Sequence, residues 1–134
     1  MKSLFVSKLI ILLLLATTFI HKDAQARGDD RLAVSLCESA KADNRTVMRK
    51  KLKQARLRLR DIYEGLRCGK EGSLARVAIN ADAMKAAKYI FAKSKKTALS
   101  KVDKDGKNIL EYTQALVAAG DDSKQVFVDL ILSQ

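Results

Sequence analysis

Two cysteines, Cys37 and Cys68, constrain the fold of this chain more than any other sequence feature. A disulfide between them would close a loop of about thirty residues and stabilise the fold by roughly 3–4 kcal/mol if it acts on the unfolded chain. That is a large share of the ~5–15 kcal/mol that small domains have in total. The pair lacks the C-x-x-C spacing of redox-active sites. A structural disulfide is therefore predicted, provided that the chain reaches an oxidising compartment.

The N-terminal segment predicts such a compartment. A positively charged start precedes the apolar run over residues 9–20, and Ala24-Gln25-Ala26 places small residues where a signal peptidase cleaves. The apolar run is shorter than the ~20 residues that a bilayer-spanning helix needs. We interpret residues 1–26 as a cleaved secretory signal peptide, which predicts a periplasmic or secreted bacterial protein. An uncleaved membrane anchor is the alternative.

Removal of this segment would leave about 108 residues, the size of one small domain. The net charge would be about +9, compared with +11 for the whole chain. The only histidine, His21, lies in the predicted signal peptide. A chain without histidine cannot form a Ser-His-Asp or Cys-His catalytic site or a His-rich zinc site. Catalysis by carboxylates or lysine is the alternative, but we expect a protein that is not an enzyme and that has no cofactor and no metal.

Hydrophobic periodicity predicts that the first part of the mature chain forms two helices. The first is predicted over residues 31–41, and Asp43-Asn44 then ends it and caps the second. The second helix is predicted to end somewhere between Ala55 and Tyr63, because the alternation of leucine with arginine near its end also allows an extended segment. Its inner face is predicted from four apolar residues at helical spacing, Met48, Leu52, Ala55 and Leu59.

The helix-break-helix pattern then returns twice. Residues 73–94 predict two helices that separate near residues 80–82, and residues 93–107 predict a polar connection. Asn108 is predicted to open a helix that closes at Gly120, and a last helix follows whose predicted inward residues are Val126, Phe127, Leu130 and Ile131. Aligned positions recur after 39 and then 35 residues, at Ser39, Ala78 and Thr113. Such a period is typical of helical solenoids.

Segments of the chain resemble two known families. The stretch GSLARVAINADAMKAAKYIFAK and residues 103–134 are similar to ankyrin repeats, although the Thr-Pro-Leu-His run of that family is missing. Over about residues 32–91, Leu36-Cys37, Asp43-Asn44-Arg45, a basic helix and Cys68-Gly69 resemble the bacterial secreted family called domain of unknown function 3718. That family has no established activity, and the resemblance implies that its two cysteines are crosslinked.

The predicted fold class is therefore all-α, an ankyrin-like array of two to three antiparallel helix pairs with no sheet and one disulfide. The array is expected to form a single domain over residues 27–134. Its units are predicted at about residues 31–66, 69–100 and 103–134.

Asp103 and Asp105, followed by a glycine, suggest a calcium-binding loop. An EF-hand loop needs oxygen ligands at its first, third and fifth positions and a bidentate carboxylate at the twelfth. If Asp103 is the first position, Lys107 and Gln114 occupy the fifth and the twelfth. A turn that opens a helix pair is the preferred interpretation.

Residues 49–60 hold seven lysines or arginines in twelve positions. If this stretch is helical throughout, Arg49, Lys53, Arg56 and Arg60 form one stripe, which is the candidate binding patch. The stripe is interpreted either as the solvated flank of a packed helix or as a surface for an anionic partner. Nucleic acid is disfavoured because no aromatic residue lies between the charges. The same alternatives apply to the basic run over residues 93–104.

The leading functional hypothesis is a secreted, non-enzymatic interaction module that binds a protein partner, with an acidic partner preferred. It rests on architecture, because helical arrays bind through extended surfaces. The alternative is an envelope or stress protein whose basic face binds anionic lipid or surface polysaccharide.

Overall fold

A computed structural model describes the backbone of residues 20–134 and the side chains of residues 30–134. Most of the predicted signal peptide therefore lies outside the described residues. The chain divides into two units, Met1–Arg31 and Leu32–Gln134. The core and the surfaces described below belong to the second unit. Among the described helices, none is both long and apolar enough to cross a membrane.

Residues 20–134 form eight α-helices and no strand, which confirms the predicted all-α class. Three short 3-10 turns, at Tyr63–Gly65, Gly69–Glu71 and Asp122–Lys124, lie between them. The helices are α1 (Ile20–Lys41), α2 (Arg45–Gln54), α3 (Leu59–Ile62), α4 (Leu74–Asn80), α5 (Met84–Lys93), α6 (Lys96–Leu99), α7 (Ile109–Ala118) and α8 (Gln125–Leu132).

Four helices end in the same cap, in which a residue with positive φ reverses the chain. At the ends of α1, α4 and α7 these residues are Asp43, Asp82 and Gly120, and α2 ends in the same way at Arg56. In each case the following amide donates a hydrogen bond to a carbonyl five residues earlier, which is the Schellman arrangement. Glycine pays no steric penalty at positive φ, and aspartate tolerates it better than most residues.

In the caps of α1, α4 and α7, the carbonyl acceptors are those of Ser39, Ala78 and Leu116, which are 39 and 38 residues apart. The first interval equals the predicted spacing of 39 residues. The second predicted spacing, 35 residues, describes the helix starts, because the N-caps Ser73 and Asn108 are 35 residues apart. It is wrong for the helix ends, since α7 has ten residues and α4 has seven.

The core is densest around α4 and α5. Six of the seven residues of α4 are buried, and α5 contacts α2, α3 and α8 as well as α4. Alanine is frequent at these contacts, which include Ala75, Ala78, Ala83, Ala86 and Ala87. Small side chains let helix backbones approach closely while the interior stays close-packed.

The start of α7 carries a complete capping box. Asn108 Oδ1 accepts a hydrogen bond from the Glu111 amide at 2.9 Å, and Glu111 Oε2 accepts one from the Asn108 amide at 2.9 Å. Two amides that the helix leaves unpaired are thereby satisfied.

The prediction for the inner face of α8 was partly wrong. Phe127 is buried, and Leu130 and Ile131 are partly buried against the core, as predicted. Val126, however, is 47% exposed, and Val128 is buried in its place. Phe127, Val128 and Ile131 are spaced as i, i+1 and i+4, which is one face of a regular helix, and Val126 lies outside that face.

The connection over residues 93–107 is not entirely polar loop as predicted. It contains the short helix α6, in which Ala98 and Leu99 are buried. A single helical turn with two apolar residues is too short to produce a periodic pattern in the sequence.

The predicted disulfide between Cys37 and Cys68 is confirmed, with a Cα–Cα distance of 5.7 Å. It joins α1 to the loop that precedes α4. The ankyrin-like arrangement and the division into three units stay predictions.

Candidate functional site

The basic segment begins as a regular helix. Asn44 caps α2 by accepting a hydrogen bond from the Val47 amide at 3.1 Å, and Met48 and Leu52 bury one face of the helix. The cationic residues on the other side remain exposed to solvent. This part of the chain therefore matches the predicted amphipathic helix.

The helix ends at Gln54, with Ala55 as its C-cap, so the predicted single stripe of four cations on one helix is wrong. Arg56 adopts a φ of +55°, and the Leu57 amide donates to the Leu52 carbonyl at 3.0 Å. This cap reverses the chain before α3 begins at Leu59. Ala55, predicted to be on the inner face, is exposed.

A groove of about 810 Å³ lies between α2, residues 57–60 and the end of α5. We call it the basic groove, since six of its thirteen lining residues are cationic and none is acidic. Its cations are Arg49, Lys50, Lys53, Arg58, Arg60 and Lys93. Its other lining residues are Thr46, Leu52, Leu57, Leu59, Tyr89, Ala92 and Ser94.

Three of the four predicted patch residues, Arg49, Lys53 and Arg60, line the basic groove. Arg56 does not line it, because the cap at the end of α2 directs the chain away from the helical path. Whether these residues bind a ligand stays a prediction.

Tyr89 supplies an aromatic ring that was not expected from the local sequence. It lies on α5, more than thirty residues after most of the cations that line the groove. Burial raises the pKa of Tyr89, while the positive charges of Arg49 and Arg45 oppose that shift. The phenol therefore lies within the field of two guanidinium groups.

Most of the groove cations have no carboxylate partner among residues 30–134. The exception is Arg58, whose Nε lies 2.7 Å from Asp61 Oδ2. The hydrogen bond from Arg58 lowers the pKa of Asp61. Such a cluster creates a positive potential, which attracts anions.

The two aspartates of the suspected calcium loop pair with arginine side chains. Arg76, a residue of α4 that is 8% exposed, donates to both carboxylate oxygens of Asp105 at 2.8 Å and to the Lys107 carbonyl at 2.9 Å. Asp103 lies 2.9 Å from Arg67 Nη1. We call this cluster the arginine lock.

The arginine lock also accounts for the charge states of its carboxylates. The hydrogen bond from Arg76 holds the pKa of Asp105 far below its usual value. The pKa of Asp103 is lowered first by the Lys104 amide and then by the charges of Arg67 and Arg76. Over residues 30–134, no cluster of three or more acidic, cysteine or histidine side chains could hold a metal. The turn that was preferred over the calcium loop is present, because the Gly106 amide donates a hydrogen bond to the Asp103 carbonyl at 2.9 Å, and guanidinium groups lie beside its carboxylates.

The second basic run, over residues 93–104, does not form one surface. Lys93 lines the basic groove, Lys96 belongs to α6, and Lys101 pairs with Glu64. Lys95 and Lys104 are exposed.

A family model described as protein of unknown function (DUF3718) matches residues 36–111, more than half of the chain. The chain belongs to this family. No curated protein and no solved structure matches it. The family predicted from residues 32–91 is thus confirmed, while secretion and a bacterial origin stay predictions.

The DUF3718 match extends beyond the segment that carried the resemblance. It includes both cysteines, all thirteen lining residues of the basic groove and both aspartates of the arginine lock. Helix α8 lies outside it.

Most residues that line the basic groove lie outside the predicted stripe, among them Lys50, Leu57 and Arg58. Sequence patterns also did not place Tyr89 and Lys93, both from α5, beside α2. The repeat of helix pairs was the available signal, because it predicts that the second helices of neighbouring pairs lie side by side.

Proposed function

We propose that this DUF3718 protein is a non-enzymatic interaction module of the bacterial periplasm and that its basic groove binds an acidic segment of a protein partner. The observation that carries the proposal is the lining of the groove, which combines six cations with no carboxylate. Opposite charge on a partner would speed association and favour the correct orientation.

Five of the six groove cations form no ion pair within residues 30–134, and what distinguishes them from other unpaired cations, such as Lys51 and Lys96, is that they line one concavity. Outside the groove, Lys41, Arg67, Arg76 and Lys124 each lie within ion-pair distance of a carboxylate. Groove cations such as Arg49 and Lys53 form no such pair with any residue between 30 and 134. A bound carboxylate would therefore meet cations that do not first have to leave an internal partner.

The shape of the surface favours a chain segment over a membrane. The cations surround a concave space, whereas a bilayer presents a broad surface to a protein. An extended or helical peptide can enter a groove of this kind, as peptides do in other recognition domains. Anionic lipid or surface polysaccharide remains the competing proposal, and the experiment below separates the two.

The test compares the purified, disulfide-bonded protein with a groove variant that carries Arg49→Gln, Lys53→Gln and Arg60→Gln. The probes are a fluorescent oligoglutamate peptide and phosphatidylglycerol vesicles, at several salt concentrations. The groove variant is expected to bind the peptide about 3- to 150-fold more weakly, since each of three exposed ion pairs contributes about 0.2–1 kcal/mol.

A matched control variant carries Lys51→Gln, Arg56→Gln and Lys88→Gln. It removes the same charge from the same part of the chain, but none of these residues lines the groove. It is expected to retain most of the peptide binding. Equal losses in the two variants would show that net charge alone attracts the peptide and would overturn the assignment to the groove.

The probes decide between the two proposed ligands. Binding to vesicles without binding to the peptide would replace the acidic-protein proposal with the lipid proposal. If neither probe binds at low salt, the acidic-protein and the anionic-lipid proposals are both wrong. If the peptide binds the wild type and not the groove variant, crosslinking in cells followed by mass spectrometry would identify the protein partner.

A further inference from the structure

We infer that the acidic segment bound by the basic groove carries an apolar side chain between its carboxylates and buries that side chain on the groove floor. The inference rests on the function proposed above and specifies the chemistry of the partner. Its structural basis is the apolar part of the groove, which the charges alone do not explain.

The floor of the groove is apolar. Leu52 and Leu59 are buried at its base, with 3% and 2% of their surfaces exposed. Leu57 is 37% exposed, Tyr89 is partly buried and Ala92 is exposed. Five of the thirteen lining residues are therefore apolar or aromatic, and three of them retain surface that a ligand could cover.

The backbone holds Leu57 in place at this floor. The cap of α2 fixes it through the hydrogen bond from its amide to the Leu52 carbonyl. The cap requires a positive φ at Arg56, a conformation that is unfavourable for a residue with a Cβ and that glycine or asparagine would adopt more readily. Non-glycine residues held in such conformations are often found at functional sites. The side chain of Leu57, which is 37% exposed, is available to contact a ligand side chain.

Charge and apolar surface together determine which ligand fits. Cations come from α2, from residues 58–60 and from Lys93 at the end of α5, and apolar residues line the same groove. A purely ionic polymer would pair with the cations and leave the floor in contact with water. A segment with an apolar side chain between acidic residues would satisfy both parts of the groove. The volume of about 810 Å³ lies within the range of known ligand pockets.

The experiment uses two acidic peptides of equal length and charge. One alternates glutamate with serine, and in the other a central serine is replaced by leucine. The leucine peptide is expected to bind the disulfide-bonded protein about tenfold more tightly or better, because burial of a leucine side chain removes apolar surface from water. As salt rises, both affinities should fall while their ratio persists, since screening weakens only the ionic part.

Variants locate the effect. Leu57→Ser is expected to reduce the preference for the leucine peptide to about threefold or less, since it removes part of the apolar floor. Val126→Ser is the matched control, because Val126 is also partly exposed but does not line the groove. It should leave the preference unchanged.

The outcomes separate this inference from the proposed function. Equal binding of both peptides, lost in the groove variant, would overturn the inference and leave the proposed function standing. A leucine preference that Leu57→Ser does not change would also overturn it, because the apolar contact would lie elsewhere. Failure of both peptides to bind would refute the proposed function itself.

Discussion

Replacement of Arg76 by methionine tests whether the arginine lock holds the last third of the chain to α4. The side chain is 8% exposed, donates three hydrogen bonds to Asp105 and Lys107, and lies 4.1 Å from the centre of the Tyr112 ring. Methionine keeps most of the aliphatic length and much of the contact with Tyr112. The change therefore removes mainly the charge and the hydrogen bonds.

The expected loss is about 2–3 kcal/mol in the free energy of unfolding. Removal of one partner from a fully buried ion pair costs about 3–5 kcal/mol. The Asp105 side chain is 38% exposed, however, and water would solvate its carboxylate in the variant. The cost is reduced accordingly, because solvent screens exposed charges.

The loss in the free energy of unfolding should become smaller as the pH falls. The hydrogen bond from Arg76 lowers the pKa of Asp105 in the folded protein. A carboxyl whose pKa is lowered in the folded state contributes its full stabilisation when the pH is above its pKa in the unfolded chain, which is about 4. The contribution declines as the pH falls below that pKa. The difference in the free energy of unfolding between wild type and Arg76→Met should therefore be largest near neutral pH. It should decrease as the pH falls from about 4 to about 2.

Urea unfolding monitored by circular dichroism at several pH values measures both effects. Arg58→Met is the matched control, because Arg58 also pairs with an aspartate but its side chain is 73% exposed. That variant should unfold like the wild type. Equal losses in the two variants, or an Arg76→Met deficit that does not change with pH, would refute the argument from pairing.

Two further changes test the elements that hold the helix pairs. The double variant Cys37→Ser and Cys68→Ser should lose roughly 3–4 kcal/mol in the free energy of unfolding, because the unfolded chain regains the entropy of a loop of about thirty residues. Urea unfolding without reductant measures this loss, and a loss below about 1 kcal/mol would contradict the prediction. Asn108→Ala should lose about 1 kcal/mol by removal of the capping box, whereas Asn108→Ser should lose less, since serine is also a good N-cap. Equal stability of the alanine and serine variants would show that the cap contributes little.

The helix pairs could be predicted because their signals are local. Asn44, Ser73 and Asn108 each precede an apolar pattern of helical period, and each caps a helix in the structure. Breaks at Asp43 and Asp82 were visible as polar residues between such patterns. Local hydrogen bonds and a repeating apolar face are sufficient to determine elements of this kind.

The basic groove could not be predicted in the same way. Its lining depends on the cap at Arg56, where a helical pattern continues in the sequence although the helix has ended. It also depends on Tyr89 and Lys93, which only the packing of α5 against α2 brings to the same place. The arginine lock was missed for a similar reason, because Arg76 and Asp105 are 29 residues apart.

The last prediction concerns the effect of the groove cations on the stability of the fold. Six cations around one groove repel one another, and like charges destabilise a compact state. Residues selected only for stability would not be expected to form such a cluster with a single ion pair and no carboxylate in its lining. The groove variant should therefore be at least as stable as the wild type at low salt, and any gain should disappear at high salt because screening removes the repulsion. Urea unfolding of the groove and control variants at two salt concentrations measures this. A groove variant that is less stable at low salt would mean that these cations support the fold, and the argument for a binding role would lose its physical basis.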